Sequence, residues 1–117
     1  MLKLKLSVIG LFVFLVLVAC SETKPQGFVI ADSKKYEASL FRQNCAICHG
    51  PEALGKTLDD GKIVPSLRSG EFKFKTEAEI YKQIAQGGNG MTPFQRILSE
   101  RELNLMSEFV YRDLRGN

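Results

Sequence analysis

Residues 44–50 read Asn-Cys-Ala-Ile-Cys-His-Gly and contain the only histidine of the 117-residue chain. Cys45 and Cys48 stand three positions apart, and His49 follows the second cysteine directly. A group of this kind can form a redox-active thiol pair, part of a zinc site, or the attachment point of a larger group. The rest of the chain has to distinguish between these three interpretations.

The N-terminal residues have the pattern of an export signal. Two lysines precede an apolar stretch at 6–19, which is shorter than the roughly 20 residues that a membrane-spanning helix needs. The stretch leads into Leu-Val-Ala-Cys at 17–20, which resembles the bacterial lipoprotein signal. The resemblance implies a signal peptide over 1–19, cleaved before Cys20, and lipid attached to Cys20. An uncleaved anchor with an incidental cysteine is the alternative, and both place the protein body outside the cytoplasm.

Cleavage before Cys20 would leave one small domain that carries almost no net charge. The loss of Lys3 and Lys5 lowers the formal charge from +3 to +1. No basic stripe with interleaved aromatic residues is present, so nothing in the sequence supports nucleic-acid binding. Residues 20–32 contain Ser, Thr, Pro and Gly and predict a flexible tether, followed by a domain over 33–117.

The predicted domain is all-α, with three main helices and long loops. The first helix begins near Ser33 and runs into Cys45, with apolar residues on one face. Two capping boxes, at 76–79 and 99–102, open the other helices. The helix from 76 stops at the Gly87-Gly88 pair, and residues 50–75 are glycine-rich loop with no strand. The last helix carries a predicted buried stripe of Leu103, Met106, Phe109, Val110 and Leu114.

Zinc and thiol exchange are poor explanations of the cysteine pair. A closed zinc site needs four ligands, and the chain has no second cysteine pair and no second histidine. Thiol–disulfide exchangers of the thioredoxin type place their pair at a helix N-terminus after a strand, whereas this pair follows a helix. A disulfide across so short a loop would also add little stability.

Cys-x-x-Cys-His is the signature of covalent haem attachment. Two thiols three positions apart on a helical turn can each add across one vinyl group of a haem. The imidazole of the next residue then projects under the ring and can bind the iron. A large apolar cofactor would also supplement the thin core of a three-helix domain.

Residues 33–114 resemble the class I cytochromes c, the small bacterial monohaem type. The resemblance rests on the segments at 40–50, 64–67 and 87–94 and on the closing helix. It implies one haem c, held by thioethers to Cys45 and Cys48, with His49 as the proximal iron ligand. Pro65 would accept the imidazole N–H through its carbonyl, and Leu67 would pack on the haem. Aromatic residues would join the first and last helices, namely Phe41 with Phe109 or Tyr111.

The sixth iron ligand is predicted to be Met91. A second histidine is lacking, and Met1 lies in the signal, which leaves Met91 and Met106. Met106 belongs to the apolar stripe of the last helix, so core packing explains it. Met91 follows the glycine-rich stretch at 87–90 and belongs to no stripe. The family more often has Met-Pro here, whereas this chain has Met-Thr-Pro. A labile Met91 or a vacant position remains the alternative.

The expected function is single-electron transfer rather than catalysis. Ligation by histidine and methionine fills the iron coordination and raises the reduction potential. The expected partners are a redox donor and an acceptor that bind a monomer transiently, outside the cytoplasm, at the membrane that holds the lipid on Cys20. Alternatives are a haem-bearing subunit of a dehydrogenase or oxidase, a haem-based gas sensor if Met91 dissociates, and a thiol enzyme without haem.

Overall fold

The structure of the protein is a computed structural model, which describes residues 27–117. The predicted signal peptide, Cys20 and the first half of the predicted tether lie outside the described residues. No helix within 27–117 is long and apolar enough to cross a membrane. The elements follow in the order α1 (Tyr36–Asn44), α2 (Ala46–His49), β1 (Lys56–Thr57), β2 (Ile63–Val64), α3 (Glu77–Gln86), α4 (Glu100–Glu108) and a π-helix, π1 (Phe109–Leu114).

The predicted all-α class is confirmed, with one small exception. β1 and β2 form an antiparallel pair, with Lys56 opposite Val64 and Thr57 opposite Ile63. The turn between them is closed by the side chain of Asp60, which accepts a hydrogen bond from the backbone N–H of Lys62 at 3.0 Å. The prediction of no strands in 50–75 is therefore wrong. Strands of two residues are too short to show the alternation of apolar and polar residues from which strands are read.

Both predicted capping boxes are present. The side chain of Thr76 accepts a hydrogen bond from the backbone of Glu79, whose carboxylate accepts one from the backbone of Thr76. Ser99 and Glu102 make the same reciprocal pair at the start of α4. These bonds satisfy N–H groups that have no partner within the helix, and so they determine where α3 and α4 begin.

The core lies where α1 crosses the C-terminal helical segment. The rings of Phe41 and Phe109, both fully buried, lie 6.1 Å apart between centroids. This confirms the predicted aromatic contact between the first and last helices, with Phe109 rather than Tyr111 as the partner. The predicted stripe of the last helix is buried in full, at Leu103, Met106, Phe109, Val110 and Leu114.

The last helix is not α-helical throughout, because its final six residues form π1. A π-helix is rare, and single turns of it are frequent at functional sites. The apolar stripe alone does not distinguish a π-helical end from an α-helical one, since burial of the same residues is compatible with both. The sequence therefore did not predict π1.

The domain begins earlier than predicted. Ile30 is fully buried in the core, and the ring of Phe28 packs edge-on against Phe109 at 5.2 Å between centroids. The carboxylate of Glu52 accepts hydrogen bonds from the backbone N–H groups of Ile30 and Ala31, at 2.9 and 2.8 Å. Residues 28–31 are thus part of the domain and not of a flexible tether. The boundary at 33 is wrong because these contacts reach more than 20 positions along the chain.

Candidate functional site

The cysteine pair and the histidine lie on one tight helical turn. The carbonyl of Cys45 accepts hydrogen bonds from the backbone N–H groups of Cys48 and His49, at 3.1 and 2.9 Å. Gly50, with φ of 81°, ends the turn in a conformation that favours glycine. The backbone N–H of Gly55 then bonds to the carbonyl of His49 at 2.9 Å. The turn is fixed at both ends, so its three side chains have defined positions.

The two thiols are free and lack the properties of a redox-active pair. Burial, with a smaller contribution from the neighbouring Cys48, raises the pKa of the Cys45 thiol to about 12. Reactive cysteines have a lowered pKa, because the thiolate is the nucleophile. The environment of Cys45 therefore argues against thiol–disulfide exchange.

One imidazole nitrogen of His49 needs a partner. Nδ1 is buried and, among residues 27–117, makes no hydrogen bond. Buried polar atoms are almost always satisfied in native proteins, so this atom calls for an explanation. Burial also lowers the pKa of His49, which favours the neutral imidazole that binds metals.

The predicted hydrogen bond from His49 to the carbonyl of Pro65 is absent. Pro65 is exposed, and the backbone around it packs against Gly55, where a Cβ atom would collide with the carbonyl of Val64. Gly55 therefore holds the segment at 64–66 close to the turn of His49 without forming the imidazole bond. Pro65 thus lines the site, as predicted, but makes no hydrogen bond to the imidazole.

Met91 sits on a loop that two features constrain. Gly88 and Met91 exchange a pair of backbone hydrogen bonds, both 3.0 Å long. Gly87 has φ of 67°, and a Cβ there would lie 2.5 Å from the carbonyl oxygen of Met91. The side-chain amide of Gln83, on α3, donates to the sulfur of Met91 at 3.6 Å. The sulfur therefore has a defined place although its loop is rich in glycine.

These side chains line two adjacent pockets, which we call the larger and the smaller lobe of the site cavity. Cys45, His49 and Met91 form part of the wall of both. The larger lobe also contacts Cys48 and Pro65, and the smaller contacts Leu67. The structure thus brings together all the site residues that were predicted within 27–117. Apolar side chains complete the walls, among them Leu58, Val64 and Phe94 in the larger lobe and Phe41, Phe74, Ile80, Ile84, Met106 and Val110 in the smaller.

Two polar residues of the smaller lobe were missed from the sequence. Gln83 and Arg115 line the smaller lobe. Gln83 lies one residue before the buried Ile84 on α3, and Arg115 follows π1. Their side-chain types carry no specific signal, since Gln and Arg are common on exposed helix surfaces. Only the tertiary structure shows that Gln83 and Arg115 line the cavity.

Comparison with known proteins assigns the fold to a family. The family described as "Cytochrome C oxidase, cbb3-type, subunit III" matches residues 36–110, which include every element from α1 to the start of π1. The chain belongs to this family of cytochrome c domains. Its cofactor is accordingly a covalently bound haem c. The three helices and the cavity between them are the small cytochrome c fold that the sequence predicted.

A curated relative supports the same assignment. The chain is 35% identical over 79 residues to "Cytochrome c6, chloroplastic" from Chlamydomonas reinhardtii, an alignment that covers 64% of this chain. The aligned part is 51% of that protein, so the chain spans about half the length of this curated relative. No solved structure matches the chain significantly.

The residues around the cavity fit a covalently held haem. Two free thiols, the imidazole-bearing residue His49 and a thioether sulfur line a largely apolar cavity. Within 27–117, no cluster of three or more His, Cys, Asp or Glu side chains is arranged to hold a metal ion directly. The donor atoms of this cavity therefore suit the iron of a haem better than a metal ion bound by protein side chains alone.

Proposed function

We propose that the protein is a monohaem electron carrier that works outside the cytoplasm. The observation that carries the proposal is the position of Cys45, His49 and Met91 on the walls of both lobes of one cavity. A planar cofactor that spans the two lobes would have attachment, proximal ligation and distal ligation available at once. Membership of the cytochrome c family supports the same conclusion.

In this proposal, Cys45 and Cys48 hold the cofactor covalently, and His49 binds its iron from one side. The thiols would each add their S–H across one vinyl group. Because Cys45 is partly buried and Cys48 is exposed, one thioether would lie inside the cavity and the other near the surface. The lowered pKa of His49 supports its role, since a ligating imidazole has to give up a lone pair.

Met91 is proposed as the ligand on the opposite side. The loop at 87–91 is braced by the bonds between Gly88 and Met91 and by the amide of Gln83. Met106 has less freedom to serve, because it is 1% exposed and packs within the helical core. A fixed methionine favours a stable six-coordinate iron over an open position for a gas.

When bound, haem c supplies a one-electron ferrous–ferric couple. The chain contributes position and environment. Apolar walls such as Phe41 and Val110 exclude water and favour the less charged ferrous state. Methionine ligation through Met91 acts in the same direction. No side chain is required to transfer a proton, so the protein acts as a carrier and not as an enzyme.

The proposed partners are redox proteins that dock briefly near the exposed edge of the cavity. Ile47 and Ile63, which line the larger lobe, are 75% and 76% exposed. Lys62 lines the same lobe. Exposed apolar residues with one lysine beside them suit a small transient interface with a partner that carries an acidic group.

The lipid anchor on Cys20 remains part of the proposal, on the grounds of the signal-like sequence alone. We expect the protein to be a monomer at a membrane, on the extracytoplasmic side. Mass spectrometry of the protein from a membrane fraction should detect an acylated N-terminal Cys20. A Cys20→Ser variant should lose the acyl mass and appear in the soluble fraction, and an unmodified cysteine would contradict the anchor.

A second candidate is a haem-bearing subunit of an oxidase. The matching family is described by the name of an oxidase subunit, which is the observation that favours this candidate. Purification in mild detergent separates the two functions. A carrier should migrate alone with its haem, whereas a subunit should remain with an oxidase through the purification.

The first test is the absorption spectrum of the oxidised and reduced protein, produced with a cytochrome c maturation system. We expect a low-spin c-type spectrum with the ferric methionine–iron charge-transfer band. Met91→Ala should lose that band, and the matched control Met106→Leu should keep it. A c-type spectrum with no such band would reject Met91 as the ligand, and a protein without haem would reject the proposed function.

A further inference from the structure

Arg115 is held against the wall of the haem cavity by three contacts. Its guanidinium carbon lies 3.8 Å from the ring centroid of Phe72. Its Nη1 donates to the carbonyl of Phe74 at 2.6 Å, and its Nε donates to that of Leu67 at 3.4 Å. The side chain therefore crosses from the end of π1 to the loop at 67–74. These contacts hold the guanidinium group in a defined position.

This cation has no acidic partner. Among residues 27–117, no Asp or Glu lies within ion-pair distance of Arg115, whereas Arg68 pairs with Glu52 at 3.0 Å. Two of the five guanidinium N–H groups bond to the carbonyls, and such neutral acceptors do not balance a charge. Burial lowers the pKa of Arg115. A partly buried charge without a counter-ion is unfavourable unless a ligand provides one.

The cavity around Arg115 indicates what kind of ligand that is. The smaller lobe is apolar on most of its walls, with Phe74, Ile80 and Val110 among its lining residues. Within the part of the chain that the structure describes, Arg115 is the only Lys or Arg that lines this lobe. Such a wall accepts a ligand that is apolar over most of its surface and anionic at one point. Arginine is well suited to that point, because its planar fork matches a carboxylate.

Arg115 is the residue that directly follows π1. A π-helix turns less per residue than an α-helix, so residues after it point to a different side. Leu114 stays buried in the core, and Arg115 follows directly with its side chain along the loop at 67–74. A rare helical end next to an unpaired cation is consistent with a functional placement of that cation.

We propose that Arg115 is the counter-ion of a carboxylate on the bound porphyrin and thereby tunes the reduction potential. The proposal rests on the proposed function, since it needs haem in this cavity. Haem carries two propionate side chains, each with a carboxylate that is ionised at neutral pH. A paired guanidinium offsets the negative charge that would otherwise favour the ferric state. Arg115 therefore holds the midpoint potential higher than the apolar walls and Met91 would alone.

The test compares two holoprotein variants of equal net charge, with a third variant that keeps the cation. Arg115→Met removes the cation but keeps an apolar stem, and Arg112→Met is the matched control on the same helical segment. Arg112 is exposed by 62% and pairs with Glu108 at the surface. At pH 8 and low salt, we expect a lower midpoint potential in Arg115→Met, an unchanged one in Arg112→Met, and partial recovery in Arg115→Lys.

Infrared difference spectra between the redox states supply a second readout. With the haem carboxylates labelled by ¹³C, their stretching bands should shift in Arg115→Met and stay in place in Arg112→Met. If Arg115 only links the C-terminal segment to the loop at 67–74, Arg115→Met should be less stable than the wild type but should not shift these bands. If Arg115→Met accumulates no haem, Arg115→Lys carries the test, since it keeps the charge and loses the fork.

The outcomes separate the two proposals. A wild-type protein with no c-type spectrum rejects the proposed function. A c-type spectrum in both proteins, with the same potential and the same carboxylate bands in Arg115→Met, rejects the role of Arg115 alone. Equal shifts in Arg115→Met and Arg112→Met would also reject it, because they would reflect a general surface-charge effect.

Discussion

The side-chain amide of Gln83 donates a hydrogen bond to the sulfur of Met91, with Nε2 and Sδ 3.6 Å apart. The same amide donates to the carbonyl of Gly88 at 3.1 Å. Gln83 of α3 thus bonds both to the backbone of the glycine-rich loop and to the side chain of Met91. Because the loop has few side chains of its own, this residue controls how firmly Met91 is held.

If Met91 is the iron ligand as proposed, Gln83→Ala should make it easier to displace. The substitution removes both hydrogen bonds, and a net weakening of the loop by about 1 kcal/mol corresponds to a roughly five-fold change in an equilibrium constant. Titration of the ferric protein with imidazole should therefore show about five-fold tighter apparent binding. Gln86→Ala, at the exposed end of the same helix, is the control and should bind imidazole as the wild type does. Equal affinities in all three proteins would mean that Gln83 does not brace the loop.

Gly87→Ala should destabilise the protein through the backbone of the Met91 loop. Gly87 has φ 67° and ψ −149°, a region that is essentially restricted to glycine, and the added Cβ would meet the carbonyl of Met91. We expect a loss of about 3 kcal/mol in the free energy of unfolding, measured by urea denaturation.

The control for this substitution is Gly61→Ala. Gly61 also has a positive φ, of 83°, but nothing lies within 4 Å of an added Cβ. Its cost should be about 1 kcal/mol, the strain of the left-handed conformation alone. Similar losses at the two positions would show that the close approach of Gly87 to Met91 does not constrain the fold.

Ile30→Ala should cost about 2–4 kcal/mol in the free energy of unfolding, because it empties a fully buried site in the core. The substitution tests whether the domain begins before residue 33. Val29, its neighbour, is 36% exposed, and Val29→Ala should cost less than about 1 kcal/mol. If both variants unfold at the same urea concentration as the wild type, residues 28–31 are a tether after all.

Glu79→Ala should destabilise the protein at pH 7 and have less effect in acid. The backbone hydrogen bond from Thr76 lowers the pKa of the Glu79 carboxyl, with further bonds from Lys75 and from the Thr76 hydroxyl. A carboxyl with a lowered pKa contributes stability at pH values above its ordinary pKa, and this contribution is lost as the pH falls through the lowered value.

The measurement is the thermal midpoint of the wild type and of Glu79→Ala between pH 7 and pH 3. The gap between the two midpoints should narrow as the carboxyl becomes protonated. Glu77→Ala, in the first turn of the same helix but outside the capping box, is the control. A gap that stays constant with pH would show that the charged form of Glu79 has no special role.

Local interactions could be predicted from the sequence. The capping boxes join residues three positions apart, and the turn at 45–49 is closed by bonds that span three or four positions. Patterns of this length are visible in the order of residues, and so the start of α3, the start of α4 and the grouping of Cys45, Cys48 and His49 were all foreseen. Met91 was singled out for a similar reason, since its glycine-rich surroundings exclude a helical stripe.

Contacts between distant segments were decided by the tertiary structure. Ile30 bonds to Glu52 across 22 positions, and Arg115 bonds to Phe74 across 41. No sequence pattern predicts either contact. An arginine near a C-terminus and a polar segment before the first helix are usually exposed to solvent. The sequence determined where the turn at 45–49 forms, because the bonds that close it are local. Which buried charge faces the cavity, and how much of the N-terminal segment joins the core, depended on how the helices pack.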